Sequence, residues 1–357
     1  MLLIKQIIQS IKTVFAGYKT PQCVGVDIGS SAIKMVELAN DSWIISKYSI
    51  KPITKNLVNE GVINDIEKTS DIILEQWSAL NTINKQVSIA IPYNSVIIKE
   101  LRAPKFKAKF ELDDFVFKQL VQELDTDDID FDYTIIGQDE DETKVSVVVA
   151  KKEKIEEYQA IIQMTGIDVA AIDIEPFAIQ HLLHHLLSAN KDNRQLLFID
   201  IGVTRIRAYL FNDKQSVYFS EINVNYYSYI EDIITEFGGN ISIREIDDIH
   251  GFLFNIIKDN TTKDFTDAIV GDVNKLIQLI KSNVLVERKI NLADNYQIYL
   301  FGGNSLIPEV HTKISAAQNT KVLFADEFII KNKKIPQSSL LRLFTAIALA
   351  TWGQQIV

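Results

Sequence analysis

The fold is decided by the stretch VGVDIGSSAIK at residues 24–34. An apolar run ends at Asp27, a short polar turn follows Gly29, and a second apolar run begins after the turn. The chain repeats this arrangement as LFIDIGVTRIR at residues 197–207, at a constant offset of 200 − 27 = 173 positions. Each copy predicts a buried strand, a turn and a second strand. Two copies in register therefore predict an α/β protein with one such hairpin in each half.

The polar residues of the two hairpins are suited to binding a phosphate. Glycine lets the turn backbone approach a phosphate and present its N–H groups to it, and hydroxyl side chains add further donors. A basic side chain follows each aspartate at the same spacing, where a charge-assisted hydrogen bond is worth about 1.5–3 kcal/mol. The predicted phosphate-binding residues are Gly29, Ser30, Ser31, Lys34, Gly202, Thr204 and Arg207.

A third element and the two aspartates extend this prediction to a whole nucleotide. Asp27 and Asp200 are placed to hold Mg²⁺ through water. The stretch YLFGGNS at residues 299–305 predicts a strand that runs into Gly302, Gly303 and Asn304, where a purine can lie flat against the backbone. A single D-x-G turn after a strand is most often structural. Two copies in register, followed by the third element, favour a site for a purine nucleoside triphosphate with Mg²⁺; the resemblance given below implies ATP or ADP.

Composition argues against a nucleic-acid partner. The 357 residues carry a formal net charge of −10, whereas neutralising phosphates along a nucleic acid requires a basic face. Cys23 is the only cysteine, so no intramolecular disulfide is possible, and a reducing compartment fits. The sequence has no run of about eighteen apolar residues, the length expected for a transmembrane helix.

Periodicity gives further expectations along the chain. Helices are predicted over residues 66–80 and 113–124, and the acidic residues 139–142 are predicted to form a hairpin tip. Helical, polar sequence dominates residues 226–288, and one buried apolar helix is predicted over residues 340–352.

The N-terminal segment 1–20 is amphipathic, with apolar residues at helical spacing and lysines and glutamines between them. Three interpretations stay open: the segment docks on its own domain, docks on a partner, or lies in a membrane surface.

The three elements, in this order, resemble the ATPase domain shared by actin, Hsp70-type chaperones, sugar kinases, FtsA and MreB. Within that superfamily the chain most resembles the PilM family, through DIGSS at residues 27–31, AIP at residues 90–92 and DIEPFA at residues 173–178. The resemblance implies an α/β, actin-like (ribonuclease H-like) duplicated ATPase fold with an inserted α+β subdomain of the FtsA/PilM type. It also implies boundaries: an N-terminal segment 1–20, a first lobe of 21–86 and 170–195 with the C-terminal helix 340–357, an insert 87–169, and a second lobe 196–339.

The resemblance further implies a role in type IV pilus biogenesis. Members of the family bind ATP in the cleft between the lobes and capture the cytoplasmic N-terminal peptide of PilN, an inner-membrane protein, near the junction of the core with the insert. The expected partners are a PilN-like peptide and other proteins of the inner-membrane complex and motor. The expected location is the cytoplasm at the inner face of the bacterial inner membrane, with peripheral attachment through the partner or the N-terminal segment.

The second half of the site departs from the family pattern. Family members usually carry threonines where this chain has Ile206 and Arg207, and a Gly-Gly pair where it has residues 225–227 (Asn-Tyr-Tyr). Arg207 can compensate electrostatically, or nucleotide binding is weak or lost. Glu175 is the candidate to orient a water molecule for hydrolysis, its alternative being a carboxylate at a helix start. The expected enzyme is at most a slow Mg²⁺-dependent ATPase.

The leading hypothesis is thus a nucleotide-binding adaptor of a pilus inner-membrane complex. Two other classes of function compete with it. An FtsA-like protein would form filaments on a membrane through an amphipathic C-terminal helix, but this chain ends in a mostly apolar segment. A sugar kinase would need a sugar-binding aspartate motif, and none is evident.

Overall fold

A computed structural model describes most of the chain outside its N-terminal segment. The described residues are 22–39, 42–59, 61–106, 108–188, 194–212, 215–237, 263–284, 286, 296–332 and 334–352. The amphipathic segment predicted at 1–20 lies outside them, as do residues 353–357 of the predicted C-terminal helix. Among the described residues, no helix has both the length and the apolar character needed to cross a membrane.

The first hairpin lies in the middle of a five-stranded sheet with the order β10-β6-β1-β2-β3. β1, β2 and β3 are antiparallel neighbours, whereas β6 and β10 run parallel to β1. β1 contains the β-branched residues Val24, Val26 and Ile28 and is buried on both faces. The strands and the short β4–β5 pair are β1 (Val24–Ile28), β2 (Ala32–Leu38), β3 (Ile45–Pro52), β4 (Val58–Asn59), β5 (Val62–Ile63), β6 (Gln86–Ile91) and β10 (Asp168–Ile174).

The second hairpin lies in a sheet with the same strand directions, in the order β13-β12-β11-β14-β15. This match confirms the duplication that the 173-residue offset predicts. Sequence periodicity did not reveal β13 or the three-residue β15. The strands are β11 (Gln195–Ile201), β12 (Arg205–Asn212), β13 (Gln215–Asn223), β14 (Tyr296–Phe301) and β15 (Val322–Phe324).

Between β6 and β10 the chain forms a separate three-stranded antiparallel sheet, in the order β7-β9-β8. A helix covers one face of this sheet, because Leu112, Val116 and Leu120 recur at helical spacing and pack against Val145 and Val147. The predicted hairpin tip at 139–142 is confirmed. The elements are β7 (Val96–Pro104), α2 (Lys109–Leu124), β8 (Ile129–Gln138), β9 (Glu142–Lys151) and α3 (Lys152–Gln163).

The helices form layers around the two large sheets. α1 (Ile66–Leu80), as predicted, packs with α3 on the outer face of the first sheet. α4 (Glu175–Ser188) and α9 (Phe344–Ala350) lie between the sheets and bury aliphatic and aromatic side chains from both. α6 (Lys263–Asn283) and α7 (Val310–Gln318) cover the outer face of the second sheet. Among the described residues, the other α-helices are α5 (Tyr227–Phe237) and α8 (Gln337–Arg342).

The C-terminal apolar segment differs from the prediction of one continuous helix over residues 340–352. It forms α8 and α9, which meet at Leu343. Every residue of α9 is buried, since the helix packs directly on β1 and β2. Gly25 permits this approach, because a Cβ atom there would lie 2.0 Å from the carbonyl oxygen of Ala346.

We expect Gly25→Ala to lower the free energy of unfolding by about 3 kcal/mol, because the added methyl group meets rigid helix backbone. Gly271→Ala is the matched control. It lies inside α6, where a Cβ atom would have no heavy atom within 4 Å, so it should raise stability by about 0.5–1 kcal/mol. Urea denaturation monitored by circular dichroism measures both changes. Equal effects of the two substitutions would contradict the packing of α9 on β1.

Candidate functional site

The two hairpin turns have the same hydrogen-bonding pattern. In the first, the N–H of Gly29 donates to the carbonyl oxygen of Ala32 over 3.1 Å. In the second, the N–H of Gly202 donates to the carbonyl oxygen of Arg205 over 2.9 Å. The sequence repeat at residues 24–34 and 197–207 is thus a repeat of backbone geometry as well.

Each aspartate faces the basic residue that follows it seven positions later. The strand register pairs Asp27 with Lys34 and Asp200 with Arg207. The Lys34 Nζ atom lies 2.7 Å from Asp27 Oδ2, and the Arg207 Nη1 atom lies 3.1 Å from Asp200 Oδ2. The seven-residue spacing, which occurs in both halves of the chain, therefore produces two cross-strand ion pairs, one in each half.

The tips of the two hairpins touch. The Ser30 and Thr204 hydroxyl oxygens are 2.9 Å apart, within hydrogen-bonding distance. The Tyr227 hydroxyl group donates to the carbonyl oxygen of Ser30. Burial, reinforced by the nearby Glu231, raises the pKa of Tyr227 to about 12, so its hydroxyl group stays protonated. Tyr227 thus links the start of α5 to the tip of the first hairpin.

A polar cavity of about 80 Å³ lies between the hairpins and the third element. Most residues predicted to bind nucleotide line it together. They are Asp27, Gly29, Ser30, Ser31, Lys34, Glu175, Asp200, Gly202, Thr204, Arg207, Gly302 and Gly303. Asn304 is the exception: it is fully buried, and its side chain donates to the carbonyl oxygen of Gly202 over 2.8 Å. Asn304 therefore stabilises the second turn through this hydrogen bond and does not line the cavity.

Gly302 lets the third element approach the second hairpin. Its φ angle of +85° favours glycine. A Cβ atom at this position would lie 2.3 Å from Asp200 Oδ1. The Gly302 N–H donates to the carbonyl oxygen of Leu341 over 2.9 Å, which joins the third element to the segment before α9.

Sequence reasoning missed several lining residues, above all Arg205, Arg342, Phe344 and Thr345. A signal for Arg205 was present, because residues two positions apart on a strand share a face and Arg207 was already assigned to the site. No local pattern indicates the other three, since they reach the cavity from a segment far along the chain.

Arg207 binds three carboxylates at once. Its Nη2 atom lies 2.6 Å from Glu175 Oε2, its Nη1 atom 3.1 Å from Asp200 Oδ2, and its Nε atom 3.4 Å from Glu221 Oε2. Arg205 also approaches Glu175, at 3.6 Å, and its Nη1 atom makes no hydrogen bond to any described residue. Glu175 is the first residue of α4, so the network joins the second sheet to the helix that lies between the two sheets.

Burial and charge oppose each other in this network. Burial raises the pKa of Asp200, while Arg207 and Lys34 lower it, and the net direction is upward. Burial also disfavours the charge of Arg207, but Glu175 and the other acidic neighbours offset it and raise the pKa of the guanidinium. Arg207 therefore remains charged under all ordinary conditions.

The comparisons with known proteins agree with this architecture. The chain is similar to a solved structure described as the PilM–PilN type IV pilus biogenesis complex, with a TM-score of 0.70 and 18% identity over 94% of this chain and 99% of that chain. It is also similar to the ethanolamine utilization protein EutJ from Carboxydothermus hydrogenoformans, with a TM-score of 0.53 and 13% identity over 92% of this chain and 89% of that chain. The fold is that of the actin-like ATPases.

A family model described as type IV pilus assembly protein PilM matches residues 25–352. The match begins at the first hairpin and ends just after α9, so it includes both duplicated sheets, the insert and the cavity between the hairpins. This chain therefore belongs to the PilM family of type IV pilus assembly proteins.

Proposed function

We propose that this chain is a nucleotide-binding adaptor of type IV pilus assembly, located in the cytoplasm at the inner face of the bacterial inner membrane. In this role it binds the cytoplasmic N-terminal peptide of a PilN-like membrane protein and links it to other proteins of the complex. The observation that carries the proposal is that two hairpins of the same structure line one cavity, in a member of the PilM family.

The residues present suit the phosphates of ATP or ADP. Gly29 and Gly202 leave room at the turns, Ser30 and Thr204 supply hydroxyl groups, and Lys34 supplies positive charge. The Ser30 and Thr204 hydroxyl oxygens lie 2.9 Å apart, so a phosphate group held directly between the two hairpin tips would replace the hydrogen bond between these hydroxyl groups.

The site suits binding better than fast hydrolysis. Glu175, the candidate for orienting water, is engaged by Arg207 at 2.6 Å and approached by Arg205 at 3.6 Å. Phosphoryl transfer depends on a positioned water and on charges matched to the transition state. A carboxylate held in two ion pairs is poorly placed for that task, so we propose an adaptor whose ATPase activity is slow or absent.

Mg²⁺ does not fit the carboxylates as they are arranged. Asp27 is paired with Lys34 at 2.7 Å, and Asp200 with Arg207 at 3.1 Å. Water-mediated coordination needs carboxylates that are open to the ion's hydration shell, and here a cationic side chain is already paired with one oxygen, Oδ2, of each aspartate.

The inserted sheet offers a docking surface for an extended peptide. Within the described residues, β7 and β8 each pair with β9 alone, so each has a free edge. Ile97 on β7 is 48% exposed and lies where the chain leaves the core for the insert. A free strand edge binds an extended peptide through main-chain hydrogen bonds, with side-chain pockets adding specificity. We propose the β7 edge as the peptide site.

We expect the full chain to bind ATP, and Lys34→Ala to weaken that binding by about 1.5–3 kcal/mol, or about ten- to a hundredfold. The substitution removes a phosphate partner and leaves Asp27 without its cation. Isothermal titration calorimetry measures both affinities. Lys51→Ala is the control, because Lys51 lies on the neighbouring strand β3 in an exposed ion pair with Glu75. Equal affinities for wild type and Lys34→Ala would refute the phosphate role of Lys34.

We expect a synthetic peptide with the sequence of the PilN-like protein's cytoplasmic N-terminus to bind, and Ile97→Glu to reduce its affinity about tenfold or more, because the substitution places a charge against the apolar part of the site. Ile83→Glu is the control, since Ile83 is 92% exposed and lies between α1 and β6. Fluorescence anisotropy of the labelled peptide measures binding. Unchanged affinity in Ile97→Glu would exclude the β7 edge, and no binding to wild type would refute the proposed partner.

A further inference from the structure

We infer that the Arg207 guanidinium takes the place of a divalent cation in this site, so that the chain binds its nucleotide without Mg²⁺. The nucleotide part of this inference rests on the proposed function. The cation part concerns the protein alone and is tested separately.

The geometry places Arg207 where a cation would have to lie. Asp200 at the end of β11, Glu175 at the start of α4 and Glu221 on β13 all direct a carboxylate oxygen at this one side chain. All three carboxylates and Arg207 are at least 86% buried. Three carboxylates brought together from separate elements require a positive charge between them, and in this chain the guanidinium is that charge.

The Arg207 guanidinium is a permanent positive charge between the three carboxylates. An arginine stays protonated in proteins, and its planar fork presents several N–H groups in fixed directions. Here Nη1, Nη2 and Nε each contact a different carboxylate. A hydrated Mg²⁺ at these carboxylates would compete with Arg207 for their negative charge and would meet the positive charges of Arg207 and the adjacent Arg205. The covalently attached cation therefore excludes the diffusible one.

The charged side chains that line the cavity suit the binding of a phosphate anion that carries no metal ion. Four cationic side chains line the cavity, from Lys34, Arg205, Arg207 and Arg342, against the carboxylates of Asp27, Glu175 and Asp200. The Nη1 atom of Arg205 is buried and has no hydrogen-bond acceptor among the described residues. A buried donor without an acceptor is costly, and a phosphate oxygen would supply the acceptor. The protein thus provides the positive charge that the metal ion would otherwise bring.

The first test uses wild-type protein and titrates ATP by calorimetry, once with excess Mg²⁺ and once with EDTA. We expect ATP to bind in EDTA at least as tightly as with Mg²⁺. A loss of about tenfold or more in EDTA would overturn the inference while leaving nucleotide binding intact. Absence of binding in both buffers would instead refute the nucleotide part of the proposed function, and with it the metal-free binding inferred here.

The second test needs no nucleotide and asks whether the protein binds a divalent cation. Mn²⁺ serves as the probe, because its free form gives an electron paramagnetic resonance signal that falls on binding. We expect no binding of Mn²⁺ to the wild-type site. Binding of one Mn²⁺ by wild type that Asp200→Asn abolishes would overturn the inference, whatever the ATP titrations give.

The third test removes the guanidinium. Arg207→Gln leaves three buried carboxylates without their shared cation, so we expect a lower Tm, new binding of Mn²⁺, and a Tm that Mg²⁺ partly restores. Arg102→Gln is the matched control, because Arg102 is 70% exposed and 3.7 Å from Glu142 on the insert, and it should show none of these changes. A purely structural role for Arg207 would lower the Tm without creating a response to metal, and that result would overturn the inference. If Arg207→Gln does not fold, the two wild-type tests still decide.

Discussion

The structure depends on neutralising the carboxylates that meet at the centre of the molecule. Asp200, Glu175 and Glu221 belong to a strand end, a helix start and a second strand, and Arg207 binds all three. Removing one partner from such a buried group typically costs about 3–5 kcal/mol, because the remaining charges stay desolvated. The positions of β11, β13 and α4 are therefore linked by one side chain, and the rest of the cavity is built around it.

The duplication explains both the likeness and the difference of the two halves. The same register sets Asp27 opposite Lys34 and Asp200 opposite Arg207. Lysine carries a compact charge on a flexible stem, and Lys34 pairs with a single carboxylate. Arginine presents a planar fork, which reaches beyond its own hairpin to α4 and β13. One change of residue type at equivalent positions thus turns a local ion pair into a contact that joins separate elements.

The sequence predicted what depends on local pattern, namely the two hairpins and their repeat. It assigned Lys34 to a phosphate and Asp27 to Mg²⁺, whereas the strand register pairs these two side chains with each other. Asn304 binds the backbone of the second turn and does not line the cavity, whereas Arg342 does line it. Both positions depend on how distant segments of the chain pack together, which no local sequence pattern predicts. The break at Leu343 was missed for a similar reason: its apolar surroundings fit a helix throughout, and packing between two sheets decides where α8 ends.

The cavity and the start of the insert approach each other at one glycine. Gly61 has φ +83°, and a Cβ atom there would lie 2.2 Å from Pro92, where β6 leads into the insert, and 3.4 Å from Nη2 of Arg205 in the cleft. The Tyr158 hydroxyl group of α3 donates to the Gly61 carbonyl oxygen over 3.3 Å. A side chain at residue 61 would overlap Pro92 and would have to displace it. The start of the insert can therefore pack this close to the cavity because residue 61 is a glycine.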